Sequence, residues 1–371
     1  MKSRAAGWML ALAMGTSAAH GAEIVVGQVA PLSGLDGSQG KAYAAGLQLA
    51  FDGANKRGGV AGNTVRLVRK DDAGKPEETL RLTQELIEQD KAVVLAGYFG
   101  IANIETIARS GILEKNRIAL VGWRAAQVRP ETMNLFNVRA SPRDEMFKVS
   151  EHLATMGITR LGIMYEQGPG GVALMTSAGE AAQKAKVTIV AMAGYPAGTA
   201  NVAQPVQAML KVQPQAIMMV ASGAAAAAFI EQYRKAGGGA ALFANSGVDA
   251  EQLGANLSDA QMQGVAIAQV MPSPYKMGTR IGKEFADAVA RDKPEVPVSY
   301  AMMEGYVAGK VILEAIRRQG KAPTREGMID SLGRMEYYDL GGYTVSYRPD
   351  IRAGSKFVEL TILGGKGRIR Q

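Results

Sequence analysis

From Ile24 onward the chain alternates between short β-branched runs and longer stretches in which apolar positions recur every three or four residues. This alternation predicts βαβ units around a parallel sheet. The expected strands are Ile24 to Ala30, Val65 to Lys70, Val93 to Ala96, Ile118 to Val121 and Leu135 to Val138. Helices are expected between them, over Ala42 to Asn55, Glu77 to Gln89 and Ile104 to Glu114. In the second of these, Leu80, Thr83, Leu86 and Ile87 fall on one stripe that packs against the sheet. Pro76 sits at its first turn, where a missing N–H costs nothing.

The segment Asn137 to Arg143 breaks the rhythm with a serine–proline, after which the alternation restarts. Helices are expected at Asp144 to Thr155, Val172 to Lys186, Val202 to Val212 and Ala224 to Ala236. The strands between and after them are Arg160 to Met164, Thr188 to Met192, Ala216 to Val220 and Ala241 to Ala244. Val270 to Tyr275 is a second, proline-rich joint, and a third lies near Glu336 to Gly342, before a terminal β pair at Tyr343 to Tyr347 and Phe357 to Leu363. The expected fold is thus α/β, with two doubly wound parallel-sheet lobes. Their boundaries are residues 23–140 for the first part of lobe 1, 141–270 for lobe 2, 271–335 for the second part of lobe 1, and 336–371 returning to lobe 2. Several crossings between lobes imply hinge motion around a cleft, and open parallel sheets bind ligands beyond the carboxyl ends of their strands.

Residues 1–22 read as a secretory signal peptide: Lys2 and Arg4, an apolar run from Ala5 to Met14, then small residues from Gly15 to Ala22. That run is too short to span a bilayer, and no later stretch reaches the length of a transmembrane helix. Cleavage is expected between Ala19 and Ala22. The chain has no cysteine. Disulfides, thiolate nucleophiles, cysteine-ligated metal and a lipid-anchored N-terminal cysteine are therefore excluded, and a product free in the periplasm is expected. Without the leader the chain keeps 40 basic and 34 acidic residues, one histidine (His152) and one tryptophan (Trp123). A site needing two histidines cannot form, and His152, mid-helix in FKVSEHLATMG, has no nucleophile motif beside it. Basic residues alternate with acidic ones along most helices, the pattern of solvated faces rather than of a nucleic-acid stripe.

Motifs for cofactor chemistry are incomplete. Gly168, Gly170 and Ala173 satisfy a dinucleotide pattern, but the next strand ends in Ala193 and Gly194 with no acid for a ribose hydroxyl. The loop Gly34 to Ala42 has the wrong spacing for a phosphate loop and reads as a flexible wall of the cleft. Asp71 and Asp72 end a strand in a solvated turn, and Ala224 to Ala228 marks a close-packed helix. No enzyme and no cofactor are expected.

The opening IVVGQVAPLSG from Ile24 to Gly34, AYAAGLQLAFDGAN, and KRGGVAGNTVRLVRKDDAGKPEET from Lys56 to Thr79 resemble the periplasmic substrate-binding proteins of branched-chain amino-acid-type ABC transporters. LFNVRASPRDE at the first crossing, LGIMYEQ in the second lobe and EYYDLGGYTVSY near the C-terminus extend the resemblance over the whole mature chain. It implies a type I periplasmic binding protein of two lobes and three crossings. Such a protein closes as a monomer on a small-molecule ligand and delivers it to ABC transporter permease subunits in the inner membrane. A periplasmic sensor for a membrane receptor would share the fold.

The resemblance also says where to look for the ligand. Amino-acid-binding members hold the ligand carboxylate with a serine after the third strand and a threonine after the fourth. Here those loops read GYFGIAN and VGWRAAQ, with Ile101 and Ala102 at the first position and Trp123, Arg124 and Ala125 at the second. The family's acid for the α-ammonium lies in the loop after Ala244, where Ser246 or Gly247 is nearest and Asp249 lies further along; the loop after Tyr165 lacks its usual aromatic. Burying either charge of an amino acid unpaired costs several kcal/mol, so the expected ligand is not an α-amino acid. Trp123, with Tyr98 and Phe99 nearby, points to an aromatic or apolar ligand body, and Arg124 to a carboxylate on it; the alternatives are an exposed loop charge for Arg124 and core positions for Tyr98 or Phe99. Gly100, Asn103, Gln167, Gly168 and Ser222 complete the expected binding set, with no metal; a true branched-chain amino-acid binder is the alternative.

Overall fold

A computed structural model describes residues 21–125, 134–168, 171–349, 352–364 and 369–370. The expected leader falls almost wholly outside the described residues. The first sheet contains β1 (Glu23–Ala30), β2 (Thr64–Asp71), β3 (Val94–Phe99), β4 (Leu120–Arg124) and β5 (Leu135–Phe136), all parallel, in the order β2-β1-β3-β4-β5. The second sheet holds β6 (Arg160–Glu166), β7 (Thr188–Tyr195), β8 (Ala216–Val220), β9 (Ala241–Ala244) and β10 (Ala266–Gln269). A two-stranded hairpin, β11 (Tyr338–Asp339) and β12 (Thr344–Val345), follows in the chain, and then β13 (Glu359–Leu363) and β14 (Ile369–Arg370) complete the second sheet in the order β14-β13-β10-β9-β8-β6-β7. Strands such as β1 and β3 are buried on both faces, as a parallel sheet covered by helices on both sides requires.

Helices α1 (Gly37–Asn55), α2 (Pro76–Glu88), α3 (Ile101–Ser110) and α4 (Ile112–Lys115) belong to the first lobe. The expected single helix from Ile104 to Glu114 is two, because Gly111 adopts a left-handed conformation (φ +65°) between them. The second lobe carries α5 (Pro142–Thr155), α6 (Gly171–Ala185), α7 (Ala203–Val212), α8 (Gly223–Lys235), α9 (Ala250–Asn256) and α10 (Asp259–Met262). The serine–proline of the first joint is the start signal of α5: Ser141 and Asp144 form a reciprocal capping box and Pro142 takes the first helical position.

After β10 the chain crosses back, and α11 (Arg280–Asp292), α12 (Tyr300–Gln319) and α13 (Arg325–Gly333) join the first lobe. Helix α12 is buried over almost its whole length against α1. The two backbones approach closely: a Cβ on Gly46 would lie 2.0 Å from the Met302 carbonyl oxygen, and one on Gly305 would lie 2.1 Å from that of Tyr43.

The C-terminal region differs from expectation. Residues 343–347 and 357–363 do not pair with each other; β12 pairs with β11, and β13 pairs antiparallel with β10. Tyr343, Val345 and Tyr347 lie in the first-lobe core, so the chain joins the second sheet at β13 rather than at residue 336. The reason is burial: three large side chains at alternate positions fill the space beside Phe136, with Tyr347 edge-on to its ring at 5.2 Å.

One hydroxyl ties the three crossings together. The Tyr343 Oη–H, on the third crossing, is shared between the carbonyls of Val138 on the first, at 2.8 Å, and Val270 on the second, at 3.0 Å. All three groups are buried. Replacing Tyr343 by Phe leaves two buried carbonyls without this donor, and the variant should lose about 1–3 kcal/mol in denaturant unfolding; a change below about 0.5 kcal/mol would show that the hydroxyl is not a tie.

Candidate functional site

The carboxyl ends of the strands of both sheets face each other across a cleft that encloses a cavity of about 660 Å³. From the first lobe it receives Asp36 and Gln39 of the loop and helix after β1, Ala73 to Glu77 after β2, Phe99 at the end of β3 with Gly100 to Asn103 after it, and Arg124 at the end of β4 with Ala125 after it. From the second come Glu166, Ala197, Gly198, Ala221, Ser222, Asn245 and Gly247. A larger depression of about 970 Å³ lies on the outer side of the Gly34–Leu35 loop, and no arginine lines it. The smaller cavity is the one where strand ends and buried charges converge.

Strand alternation decides which aromatic residues reach the cleft. In the β3–β4 register Tyr98 pairs with Trp123, and Phe99 with Arg124. Residues paired in register share a face and their neighbours take the other. Phe99 and Arg124 face the cavity, with the guanidinium carbon 5.8 Å from the ring centroid. Tyr98 and Trp123 point the other way, into the layer between the first sheet and α2 and α3. The Tyr98 hydroxyl pairs with the Thr83 hydroxyl at 2.9 Å there. The expected ligand-facing roles of Trp123 and Tyr98 are thereby corrected: only one member of each adjacent pair can face the cleft.

Of the other expected residues, Gly100, Ile101, Ala102, Asn103, Ala125 and Ser222 line the cavity. Asn103 is spoken for, donating to the Asp72 carboxylate at 3.2 Å and the Thr79 hydroxyl at 2.6 Å. Gln167 and Gly168 are exposed and do not line it. Ser246 is buried and turned away: its amide and hydroxyl donate to Glu145, at 2.7 and 2.8 Å, while its carbonyl accepts from Arg124 Nη2 at 2.6 Å.

Arg124 is the chemical centre of the cleft. Its side chain is 5% exposed, and its Nη1 stands 3.7 Å from Glu304 Oε2 of α12, within ion-pair range but beyond a hydrogen bond. Neither Nη1 nor Nε makes a hydrogen bond among the described residues. Arg139, on the first crossing, donates to Glu145 of α5 at 3.1 Å and lies 3.7 Å from Glu304. Two arginines and two glutamates thus form a charge-balanced cluster spanning both lobes and a crossing. Burial pushes the Glu145 carboxyl up, and Arg139 beside it pulls it back.

Two further acids reach the same cavity. Burial pushes the Asp36 carboxyl up, against the lowering effect of Arg124. Burial likewise raises Glu166, which accepts from the Gly198 amide at 3.2 Å and the Tyr195 hydroxyl at 3.3 Å, and the nearby Asp36 adds to the rise. Asp36, Glu166, Arg139, Glu145 and Glu304 were not among the expected site residues. An acid flanked by small residues, as in GLDGSQG, carries no periodic signal that distinguishes a cleft wall from a solvated turn.

The lobes also touch across the cleft mouth: Gln39 Nε2 donates to the Gly247 carbonyl at 3.2 Å and to Gln252 Oε1 at 2.8 Å, and Gln252 Nε2 donates to the Leu35 carbonyl at 3.0 Å. Among the described residues no cluster of three or more metal-ligating side chains occurs, and no helix is long and apolar enough to cross a membrane.

Two open parallel-sheet lobes, three crossings and a polar cleft at the strand ends define a two-lobed binding protein. The sequence profile of the periplasmic binding protein family matches residues 23–365. An amino acid binding protein of Pseudomonas aeruginosa is 32% identical over 108 residues, 29% of this chain and 28% of its own length. Leu/Ile/Val-binding protein homolog 8 of Brucella abortus is 26% identical over 317 residues, 80% of this chain and 76% of its own. A substrate-binding periplasmic protein of Ralstonia solanacearum has the same fold at a TM-score of 0.87 and 36% identity, with 93% of this chain and 99% of that one covered. The chain belongs to the periplasmic binding protein family and has its type I, two-lobed fold.

Across the cleft mouth, Tyr275 of the second crossing joins the lobes by donating to the Glu251 carboxyl of α9 while lying 3.0 Å from the Val298 carbonyl before α12. Burial, followed by the neighbouring Asp249, pushes Glu251 from 4.5 up to about 9. Because the folded value is raised, folding retains a proton that the unfolded chain releases: stability is undiminished below pH 4.5 and falls as pH rises towards 9. Glu251→Gln, which stays neutral, should therefore raise the thermal midpoint by roughly 2–4 °C at pH 8 and leave it unchanged at pH 4. An equal shift at both pH values would remove Glu251 as the titrating group.

Proposed function

We propose that this chain is the periplasmic solute-binding component of an ABC-type importer and that it captures a small organic carboxylate in the cleft. The observation that carries this reading is Arg124: a guanidinium with 5% side-chain exposure, lining a cavity, with Nε and Nη1 unbonded among the described residues. A buried cation with N–H groups left free towards a cavity is suited to a carboxylate, held by charge-assisted hydrogen bonds. Phe99, Ile101, Ala102, Leu35 and Ala221 supply an apolar wall for the ligand's body. Residues 99–103 and 121–125, at the ends of β3 and β4, carry no side-chain hydroxyl, and that of Tyr98 is turned away to Thr83. That absence supports a ligand other than an α-amino acid.

A second reading, an α-amino acid, is favoured by Asp36, an acid close enough to Arg124 for the two charges to interact. The Pseudomonas relative is an amino acid binding protein. The two readings part in a calorimetric titration of leucine, phenylalanine, hexanoate and benzoate. Under the carboxylate reading the two simple acids bind at micromolar concentration, their methyl esters do not, and Arg124→Lys weakens the acids at least about tenfold, since a compact ammonium on a different stem does not reproduce the guanidinium's fixed donors. Micromolar leucine binding would favour the second reading, and binding of the esters as tightly as the acids would sink the first. A sensor of a membrane receptor would bind alike, but would not stimulate ATP hydrolysis by a reconstituted permease.

A further inference from the structure

The two sheets give the cleft a direction. In the second sheet the order β9-β8-β6 separates the loop after β9 from the end of β6 by two strand spacings, roughly 10 Å. Arg124 contacts the first of these places, through the Ser246 carbonyl, and Glu166 ends the strand at the second. The cavity wall therefore presents arginine N–H groups near the crossings, their charge balanced behind it by Glu145 and Glu304, and a carboxylate further out.

Asp36 lies between these places, close enough for its charge to interact with both Arg124 and Glu166. It holds the N-cap position of α1, where an aspartate ordinarily accepts a hydrogen bond from the first turn, yet its side chain makes no cap bond. The caps Ser141, Ser222, Asp249, Thr279, Ser299 and Thr324 do make theirs. Asp36 Oδ1 is buried with no hydrogen-bond partner among the described residues, and the residue lines the cavity beside Glu166. A buried acceptor left unmade costs about 1–3 kcal/mol. Arg124, buried and with two unbonded N–H groups in the same cavity, shows that the cleft is built to receive a polar ligand.

We infer, resting on the carboxylate reading of Arg124, that Asp36 and Glu166 form a second recognition end, and that the ligand is a carboxylic acid carrying a hydroxyl or amino group remote from its carboxylate. An α-ammonium lies within about one side-chain hydrogen bond of its own carboxylate, too near to reach Glu166 while Arg124 holds the acid. A group on the far side of a ring or a short chain reaches it. Asp36 and Glu166 then act as specificity-determining residues: they accept from the remote donor and leave acids without one to bind with an acceptor unpaired.

Matched ligands test this. Benzoate and 4-hydroxybenzoate form one pair, hexanoate and 6-hydroxyhexanoate another, with 6-aminohexanoate, 2-aminohexanoate and methyl 4-hydroxybenzoate as further probes, all titrated by calorimetry. The hydroxylated member of at least one pair should bind about tenfold or more tightly than its parent. The Asp36→Ala/Glu166→Ala double variant should abolish that advantage by binding the parent acid more tightly than the wild type does, since no acceptor is then left unpaired, and that binding also shows that it is folded. Equal affinities within both pairs overturn the inference and leave the carboxylate reading intact. Tighter binding of 2-aminohexanoate than of 6-aminohexanoate overturns it in favour of an α-zwitterion. If methyl 4-hydroxybenzoate binds as well as the free acid, the carboxylate reading itself fails, and absence of binding by every probe overturns both.

Discussion

Keeping a guanidinium away from water is costly unless other charges and acceptors surround it, and the architecture of this cleft follows from how that is done for Arg124. Its charge is answered by Glu304, which α12 brings from far along the chain, and one N–H group is taken by the Ser246 carbonyl from the opposite lobe. Ser246 is in turn fixed by Glu145, and Glu145 is balanced by Arg139 on the first crossing. The cluster is neutral in sum but leaves two donors of Arg124 unspent. Rigid placement of the other members lets those two donors be offered without collapsing onto a neighbouring acid.

The same economy of position holds at the crossings. Three strands of chain pass between the lobes, and one buried hydroxyl, that of Tyr343, meets the carbonyls of the other two. Because β12 and the residues around it pack in the first-lobe core, this tie is fixed relative to the first sheet, while β13 reaches across to the second. Helix α12 reinforces the arrangement: its small residues permit backbone contact with α1, which places Glu304 beneath Arg124 and the α1 N-terminus beside the cleft.

Much of the framework was legible in the residues. Nine strands and seven helices follow from alternating periodicities, and their positions agree with the structure to within a few residues, apart from the helix divided at Gly111. Strand β10, only four residues long, lacks enough pattern to stand out, and the periodicity of α11 to α13 does not itself name the first lobe, the lobe expected for residues 271–335 and the one in whose core they pack. At the site, the loops after β3 and β4 were legible, but the side chains within them were not sorted. Trp123 and Arg124 are adjacent, and period-2 alternation alone requires them to face opposite ways; which one faces the cleft depends on what covers each side of the sheet. Asp36 and Glu166 gave no sign in the chain because each owes its character to burial beside the other and beside Arg124.

The sequence by itself determined the α/β class, the two-lobed repetition, the joints between lobes and the absence of thiol chemistry, because these depend on local periodicity and composition. The tertiary structure alone decided that Arg124, rather than Trp123, faces the cleft, that its counter-charge Glu304 comes from α12, and that two acids share its cavity. Local pattern fixes which residues lie on one face of an element; only packing of elements distant in the chain fixes what that face meets, and charges take their properties from what they meet.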